Sequence, residues 1–575
     1  MIMAVQLALS IGITSWTGRA YTIPLCSKSS LSSRGRSLCA TTIEPTADSL
    51  DEDDFSDLDK WLSRGRDENE AVVDRPRWSV TAAGPVHGNF FSSEAKTFAE
   101  LGASERLMSN LKLLGMTQPS TAQAELFKPV LNGDDTLLAY PSGMGKTWGY
   151  LAPLVQKLWE WEEAEGRTPK GQVRVIILVP NAELGQQVLD QARKLANRSI
   201  RASIATGEGS KWSTQRDRLR SGLELLVVTM GRLVAHLSPR DAEPSFSLAG
   251  TRAVVVDEAD ALYAGEAPSW YTEKHLDDVY DLGDSFDDST DKFGDSFGAN
   301  HPLETRRKVL LQEPPLANWK WVRSELPVSC ATCLVTSQVP KGIETLMLGD
   351  VPHMGKLLGK GLHITRRGVE VSVVDCSIPA ADERGRRSVF LAKVQELQEV
   401  LAGGRADGVD GAVARKPKRA VVVCNNAATC QRLVRVLVDE YSKVRNAEGA
   451  GVPWVHEFHA SLRPERRKRA LSAFRQPVPG GPARVLVSTG RALRGLELGS
   501  RAPGEDSCVP RWPVDHVILF DFPPDARAYL ARVGIATRGN RTPAKVTALA
   551  VGSQLAFAKA MQVHDEEGSE LDVQL

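Results

Sequence analysis

From Phe98 onward, short unbroken apolar runs alternate with longer stretches in which apolar positions recur every three or four residues. The runs are Thr136 to Ala139, Val173 to Val179, Leu225 to Val228, Ala253 to Val256 and Cys333 to Thr336. Each has the length and character of a strand buried on both faces, and Glu183 to Leu195 between two of them reads as an amphipathic helix. Strand and helix in alternation predict a doubly wound parallel sheet. The pattern restarts near Val369, with strands expected at Ala420 to Val423, Trp454 to Phe458, Arg484 to Val487 and His516 to Phe520. The fold class expected is therefore α/β, with two similar doubly wound parallel-sheet domains in tandem.

The same pattern sets the expected boundaries: a first domain over 95–350, a hinge over 351–368 where Gly and basic residues alternate, a second domain over 369–565 and a tail over 566–575. Two segments read as inserted solvated loops, the acidic 266–300 and the Gly/Ala-rich 402–418. Ahead of the first domain, residues 1–43 contain no Asp or Glu, four basic residues (Arg19, Lys28, Arg34, Arg36) and a serine-rich stretch. That composition suits an organellar targeting peptide, for a plastid first and a mitochondrion as the alternative. The acidic and polar 44–94 reads as a linker.

Charge adds little at the level of the chain, because 71 basic residues balance 71 acidic ones. No chain-wide basic field is present, so a nucleic-acid surface would have to be local, with Arg463, Arg466, Arg467, Lys468 and Arg469 as candidates. The eight cysteines are scattered, and Cys330 and Cys333 form a lone CxxC without the further ligands of a zinc site, so buried thiols are expected there. Nothing in the sequence of the mature part reads as a membrane span or an obligate dimer, and a monomer is expected.

The chemistry lies at the ends of two expected strands. In Tyr140-Pro141-Ser142-Gly143-Met144-Gly145-Lys146-Thr147 the glycines allow the backbone to wrap phosphates, Lys146 reaches the β and γ groups and Thr147 offers a hydroxyl to Mg²⁺. Asp257-Glu258-Ala259-Asp260 follows the run Ala253 to Val256, so Asp257 is placed to hold Mg²⁺ and Glu258 to orient or deprotonate the attacking water. Upstream, the amide of Gln123 offers the donor and acceptor that complement an adenine edge, and Phe98 is a candidate to stack on the base. Together these features read as a nucleotide triphosphatase using ATP and Mg²⁺.

On these residues the chain resembles the DEAD-box ATP-dependent RNA helicases over residues 95 to 565. Phe98 and Gln123 match that family's adenine-reading motif, Lys146 and Thr147 its phosphate loop, and Asp257 to Asp260 its tetrad. Pro180 to Gln187 resembles its RNA-gripping segment, and Thr206-Gly207 and Thr229-Met230-Gly231-Arg232 resemble two further RNA-contacting motifs. In the second domain His459 to Arg467, Ser488-Thr489-Gly490 through Arg494 and Arg532 through Arg538 align with its RNA-binding and arginine-finger motifs. The resemblance implies two RecA-like domains that close on ATP and on single-stranded or structured RNA held through its backbone. It assigns catalysis to Lys146, Asp257, Glu258 and Arg538. Ser142, Gly143, Met144, Gly145, Lys146, Thr147 and Arg538 would bind the nucleotide with Phe98 and Gln123. RNA would be held by Pro180, Glu183, Thr206, Gly207, Thr229, Gly231, Arg232, Arg467, Thr489 and Arg494, and coupling would run through Thr336, Ser337, Gln338 and Arg532.

Departures from that pattern concentrate in the coupling parts. Thr336-Ser337-Gln338 stands where the family has Ser-Ala-Thr, and Ala182, Pro464 and Gly490 replace an arginine, a glutamine and an aspartate. In Ala531-Arg532-Val533-Gly534-Ile535-Ala536-Thr537-Arg538 a histidine has become Ala531 and one finger arginine has become Ile535. An arginine finger is worth about 10³ to 10⁵ in rate. Nucleotide binding is thus expected to outlive fast hydrolysis, and restoring arginine at 535 is expected to raise the rate. The alternative is an ATP-binding RNA clamp with little hydrolysis.

Overall fold

The computed structural model describes residues 75–83, 90–207, 210–238, 244–264, 315–378, 385–403, 417–448, 453–476, 483–499, 513–538 and 544–569. The expected targeting peptide, the whole loop 266–300, most of the loop 402–418, and residues 44–74 and 84–89 of the expected linker lie outside them. The first described strand is β1 (Arg77–Thr81). Seven strands then form the first sheet: β2 (Thr136–Ala139), β3 (Val173–Leu178), β4 (Ala202–Ala205), β5 (Leu223–Val228), β6 (Ala253–Asp257), β7 (Ala331–Thr336) and β8 (Gly355–Leu358). Their spatial order is β4-β5-β3-β6-β7-β2-β8, and every neighbour is parallel.

The second sheet takes β9 (Glu370–Asp375), β10 (Arg419–Cys424), β11 (Trp454–Phe458), β12 (Arg484–Thr489), β13 (His516–Leu519) and β14 (Lys545–Ala550). Its order is β1-β9-β14-β13-β10-β12-β11, parallel throughout except for β1. Strands β2, β3, β5, β6 and β10 are buried along their whole length, as unbroken Val, Ile and Leu runs under helices on both faces must be.

Two expectations are corrected. Part of the expected linker is strand: β1 pairs antiparallel with β9, its Trp78 opposite Val373 and its Val80 opposite Val371. Arg75 and Arg77 reach the buried carboxylate of Glu396 at 3.2 and 3.3 Å, and Ala83 N donates to the Asp565 carbonyl. The chain therefore crosses the second sheet before it enters the first. Part of the expected hinge is also strand: β8 adds to the edge of the first sheet beside β2. Its Gly-Lys-Leu-Leu composition carries no strand signal, because an edge strand with an exposed face needs no apolar run. The connection between the sheets is thus shorter than 351–368 and begins after Leu358.

In the first sheet β6, β7 and β2 are neighbours, so their C-terminal ends open onto one edge. The phosphate-loop, Asp257 to Asp260 and Thr336 to Gln338 segments leave from those ends, the place where open parallel sheets bind ligands.

Candidate active site

The phosphate loop turns tightly between β2 and the helix Lys146–Glu165, with Gly143 at φ +85° and Gly145 at φ +75°. Both values lie in the left-handed region that glycine alone adopts at little cost. Space matters as well, since a Cβ on Gly143 would stand 3.1 Å from the Thr537 carbonyl, and on Gly145 2.6 Å from Gln123 Nε2. The loop thus presents bare backbone at the N-terminus of a long helix, which suits an anionic phosphate chain.

Lys146 folds back over this turn. Its Nζ donates to the carbonyls of Tyr140 (2.7 Å) and Pro141 (3.1 Å) and to Ser337 Oγ (3.0 Å). Burial lowers the ammonium pKa, while Glu258 and Asp257 hold it up. Asp257 Oδ2 accepts from the Tyr150 phenol at 2.8 Å and its Oδ1 from the Glu258 amide at 3.0 Å. Burial, helped by the Glu258 charge, pushes the Asp257 carboxyl up to about 7. Thr147 is hydrogen-bonded to the same Tyr150 phenol. Both expected metal donors are therefore brought to one place, and the donor set is all oxygen, as magnesium requires. Glu258 is one of three non-glycine residues with positive φ among the described residues, at +53°, a strained conformation of the kind concentrated at functional sites.

The adenine-reading pair is only half arranged as expected. Phe98 is 4% exposed and lies with its ring 6.4 Å from that of Phe127, so it is a core residue without a face to offer a base. Gln123 closes a capping box with Ser120, its Oε1 accepting from Ser120 N at 2.9 Å. Its Nε2 donates to the Gly145 carbonyl at 3.3 Å, which ties it to the phosphate loop and leaves one N–H and one lone pair for a ligand.

The second sheet meets this edge through a different set of contacts. Asp260 Oδ1 accepts from the Thr336 hydroxyl at 2.8 Å and its Oδ2 from Arg494 Nη2 at 3.1 Å, so the tetrad's last carboxylate links the two sheets. Arg467 Nε donates to Glu183 Oε1 at 2.6 Å and its Nη1 to the Ala460 and Leu462 carbonyls. Glu183, Arg467 and Arg494, read from sequence as RNA ligands, are thus engaged with protein partners across the cleft. Gln338 Nε2 donates to the Arg527 carbonyl at 3.1 Å, so the departure from Ser-Ala-Thr still carries a contact between sheets.

The finger segment is arranged differently again. Arg532 turns inward to Asn425 Oδ1 (2.7 Å) and the Asp521 carbonyl (3.0 Å). A Cβ on Gly490 would stand 3.1 Å from Arg532 Nε, so the glycine makes room for that arrangement. Arg532 stabilises the second sheet and does not reach the first, contrary to a direct coupling role. Arg538 Nη1 donates to the carbonyls of Leu493 (2.8 Å) and Leu496 (3.3 Å). Burial lowers its pKa against the opposing pull of Glu258. Ile535 is 3% exposed and belongs to the apolar core.

An open groove of about 1440 Å³ runs between the helix Ala182–Leu195 and the helix Pro464–Arg475, lined by Glu183, Gln187, Arg193, Thr206, Lys468 and Arg475 among others. Thr206 carbonyl is held by Arg232 Nε at 3.0 Å and by Gln215 Nε2 at 3.0 Å. Gln215 Oε1 lies 3.1 Å from His236 Nε2, His236 stacks on Trp212 at 4.0 Å, and the Arg232 guanidinium lies 5.3 Å from the Trp212 ring centroid. Gln215, His236 and Trp212 were missed by sequence reasoning, because a lone aromatic and a lone histidine carry no signal until their partners are known. Pro180 leads from β3 into the helix Ala182–Leu195, and Thr229 and Gly231 open the helix Met230–Leu237 without a side-chain cap. Thr489 ends β12, beside the turn that carries Arg494.

Comparison with known proteins agrees with this geometry. A DEAD/DEAH box helicase family model matches residues 120–280. The DEAD-box ATP-dependent RNA helicase 50 of Arabidopsis thaliana is 29% identical over 483 residues, which cover 83% of this chain and 51% of the relative. Its namesake in Oryza sativa subsp. japonica is 28% identical over 492 residues, covering 85% and 63%. The chain thus spans between about half and just under two thirds of those relatives' lengths. Among solved structures, S. cerevisiae Dbp5 bound to RNA and ADP BeF3 superposes with a TM-score of 0.54 at 17% identity, over 83% of this chain and 95% of that one. The DEAD-box helicase Mss116 bound to ssRNA and UDP-BeF gives 0.55 at 14% identity, over 83% and 78%, a likeness of fold. The matched residues 120–280 contain both the phosphate loop at the end of β2 and the tetrad at the end of β6, and over its two sheets the chain is similar to DEAD-box helicases.

Proposed function

We propose that this protein is an ATP-dependent RNA helicase or remodeller of an organelle, one that binds and hydrolyses ATP while clamping single-stranded RNA, with turnover slowed at its second-sheet wall. The observation that carries this reading is the meeting of Lys146 and Thr147, after β2, with Asp257 and Glu258, at the end of β6, on either side of β7, joined to the second sheet by the Thr336–Asp260–Arg494 relay. Lys146 and the amides of the glycine turn neutralise and orient the triphosphate. Asp257 and Thr147 are the donors that would hold magnesium, which supplies charge neutralisation at the transferred phosphate. Glu258 orients the attacking water and takes its proton. Asp260 registers the approach of Arg494, so that hydrolysis is linked to closure on RNA. Organellar residence rests on the composition of residues 1–43, with a plastid first and a mitochondrion second. No helix among the described residues is long and apolar enough to cross a membrane, and the protein is read as a monomer.

Steady-state ATP hydrolysis with and without a long single-stranded RNA tests this reading, with Lys146→Ala as the blank. RNA-stimulated turnover above the blank is the expected result, and turnover at the blank's level overturns the enzymatic reading. One observation favours a second reading, an ATP-binding RNA clamp: Ile535 lies in the core and Arg538 Nη1 is engaged by two carbonyls. ATP binding with turnover at the blank's level is the outcome that selects it.

A further inference from the structure

We infer that Arg366, in the segment joining the two sheets, supplies to the transferred phosphate the positive charge that position 535 no longer carries. The inference rests on the proposed ATP chemistry and names a residue outside every motif of the sequence reading. A small cavity of about 40 Å³ lies between the phosphate loop and the finger segment, with Ser142, Ser337, Gln338, Gly534, Thr537 and Arg366 in its wall. It has room for a phosphoryl oxygen and not for a nucleotide.

The cavity is wired to the phosphate loop. Ser337 Oγ accepts from Lys146 Nζ at 3.0 Å and lies 3.5 Å from Ser142 Oγ. A Cβ on Gly534 would be 3.5 Å from that same Ser142 hydroxyl, so both sheets touch the site. The hydroxyl residues Ser142, Ser337, Thr365 and Thr537 and the amide residue Gln338 line the cavity, and Arg366 is the one cationic residue in its wall. Of the finger segment's arginines, Arg532 turns away to Asn425 and Asp521, while Arg538 lies near Glu258 with its Nη1 held by the Leu493 and Leu496 carbonyls, so the place of position 535 is left without a charge. Burial lowers the Arg366 pKa, but a guanidinium remains charged at any physiological pH.

The segment that carries Arg366 is pinned at both ends. His363 Nε2 accepts from Val339 N at 3.2 Å, just past Gln338 in the first sheet. Gly368 N donates to the Ala82 carbonyl in the second. A finger on the connection itself reaches the phosphate only when the two sheets are together, which would tie phosphate recognition to closure.

The test compares affinities for ADP and for ADP with beryllium fluoride, a stand-in for the terminal phosphoryl group, in the full chain and in Arg366→Ala, Arg366→Lys and Arg367→Ala. Arg366→Ala is expected to lose at least about tenfold of the preference for the beryllium fluoride complex, with ADP affinity unchanged. Arg366→Lys should keep part of it and the exposed neighbour Arg367→Ala all of it. A preference within about twofold of the parent in Arg366→Ala overturns the inference while leaving ATP binding intact. A parent that binds both nucleotides without preference also overturns it. A parent that binds neither overturns the ATP reading itself, and the inference with it.

Discussion

The two walls of the cleft are built from the same architecture and do different work. On the first-sheet wall the polar ends of Lys146, Thr147, Asp257 and Ser337 converge within hydrogen-bond reach of one another or of a shared partner. On the second-sheet wall Ile535 is buried in the core, Arg532 points into its own sheet, and Arg538 Nη1 is held by backbone carbonyls. What crosses from the second wall is mostly structural: Arg494 to Asp260, Arg467 to Glu183. In the function proposed above, nucleotide binding is a property of the first wall and rate depends on the second, so that one can erode while the other persists.

The sharpest way to break this contrast is Lys146→Ala. Charge-assisted hydrogen bonds are worth about 1.5–3 kcal/mol each, so loss of the ammonium should weaken ATP binding by about a hundredfold. Titration with a fluorescent ATP analogue on protein shown to be folded by circular dichroism checks this. Unchanged affinity would remove the phosphate loop from the account.

Glu396→Ala probes the strap that β1 lays across the second sheet. It leaves Arg75 and Arg77 without their buried carboxylate, and breaking such a pair costs about 3–5 kcal/mol. A urea midpoint that does not fall would mean the strap contributes nothing to the second sheet.

Ile535→Arg separates the motif from its setting. From the sequence, an arginine here restores a finger and raises the rate. In the structure it must place a guanidinium in the apolar core, where desolvating the charge costs several kcal/mol beyond the overpacking itself. The expected outcome is a lower thermal midpoint without faster hydrolysis, and a stable, faster variant would show that the position faces the cleft.

A further contrast is a pH dependence at the groove. Burial depresses the His236 imidazole to about 3, from an ordinary value near 6.5. The proton thus binds the unfolded chain first, and the stability from burying neutral His236 is fully present above about pH 6.5 and declines as pH falls toward 3. The thermal midpoint of His236→Gln should fall less over that window than that of the parent. Parallel curves would place His236 outside the network.

These contrasts mark how far the sequence could be read. Runs such as Val173 to Val179 and Ala253 to Val256 are buried on both faces, so their composition alone determined their placement, and the tetrad and phosphate loop followed from where those strands end. Strands β1 and β8 escaped because edge strands need only one covered face, and both lie in segments whose Gly, Pro and charge content reads as connection. Phe98 was read as a ligand because an aromatic upstream of the glutamine fits either role, and only packing against Phe127 decides. For Arg467, Arg494 and Arg538 the charge was legible and the partner was not: a basic residue does not declare in sequence whether it faces RNA, a carboxylate or a carbonyl.

The most direct test of the account is a chase experiment on the full chain. Labelled ATP is bound in the presence of RNA, excess unlabelled ATP is added, and the bound label is partitioned between release and hydrolysis. An intact first wall with an eroded second wall predicts that ATP binds but that most of the bound label leaves unhydrolysed. If most of it is hydrolysed before release, the second wall is fully competent and the asymmetry is contradicted.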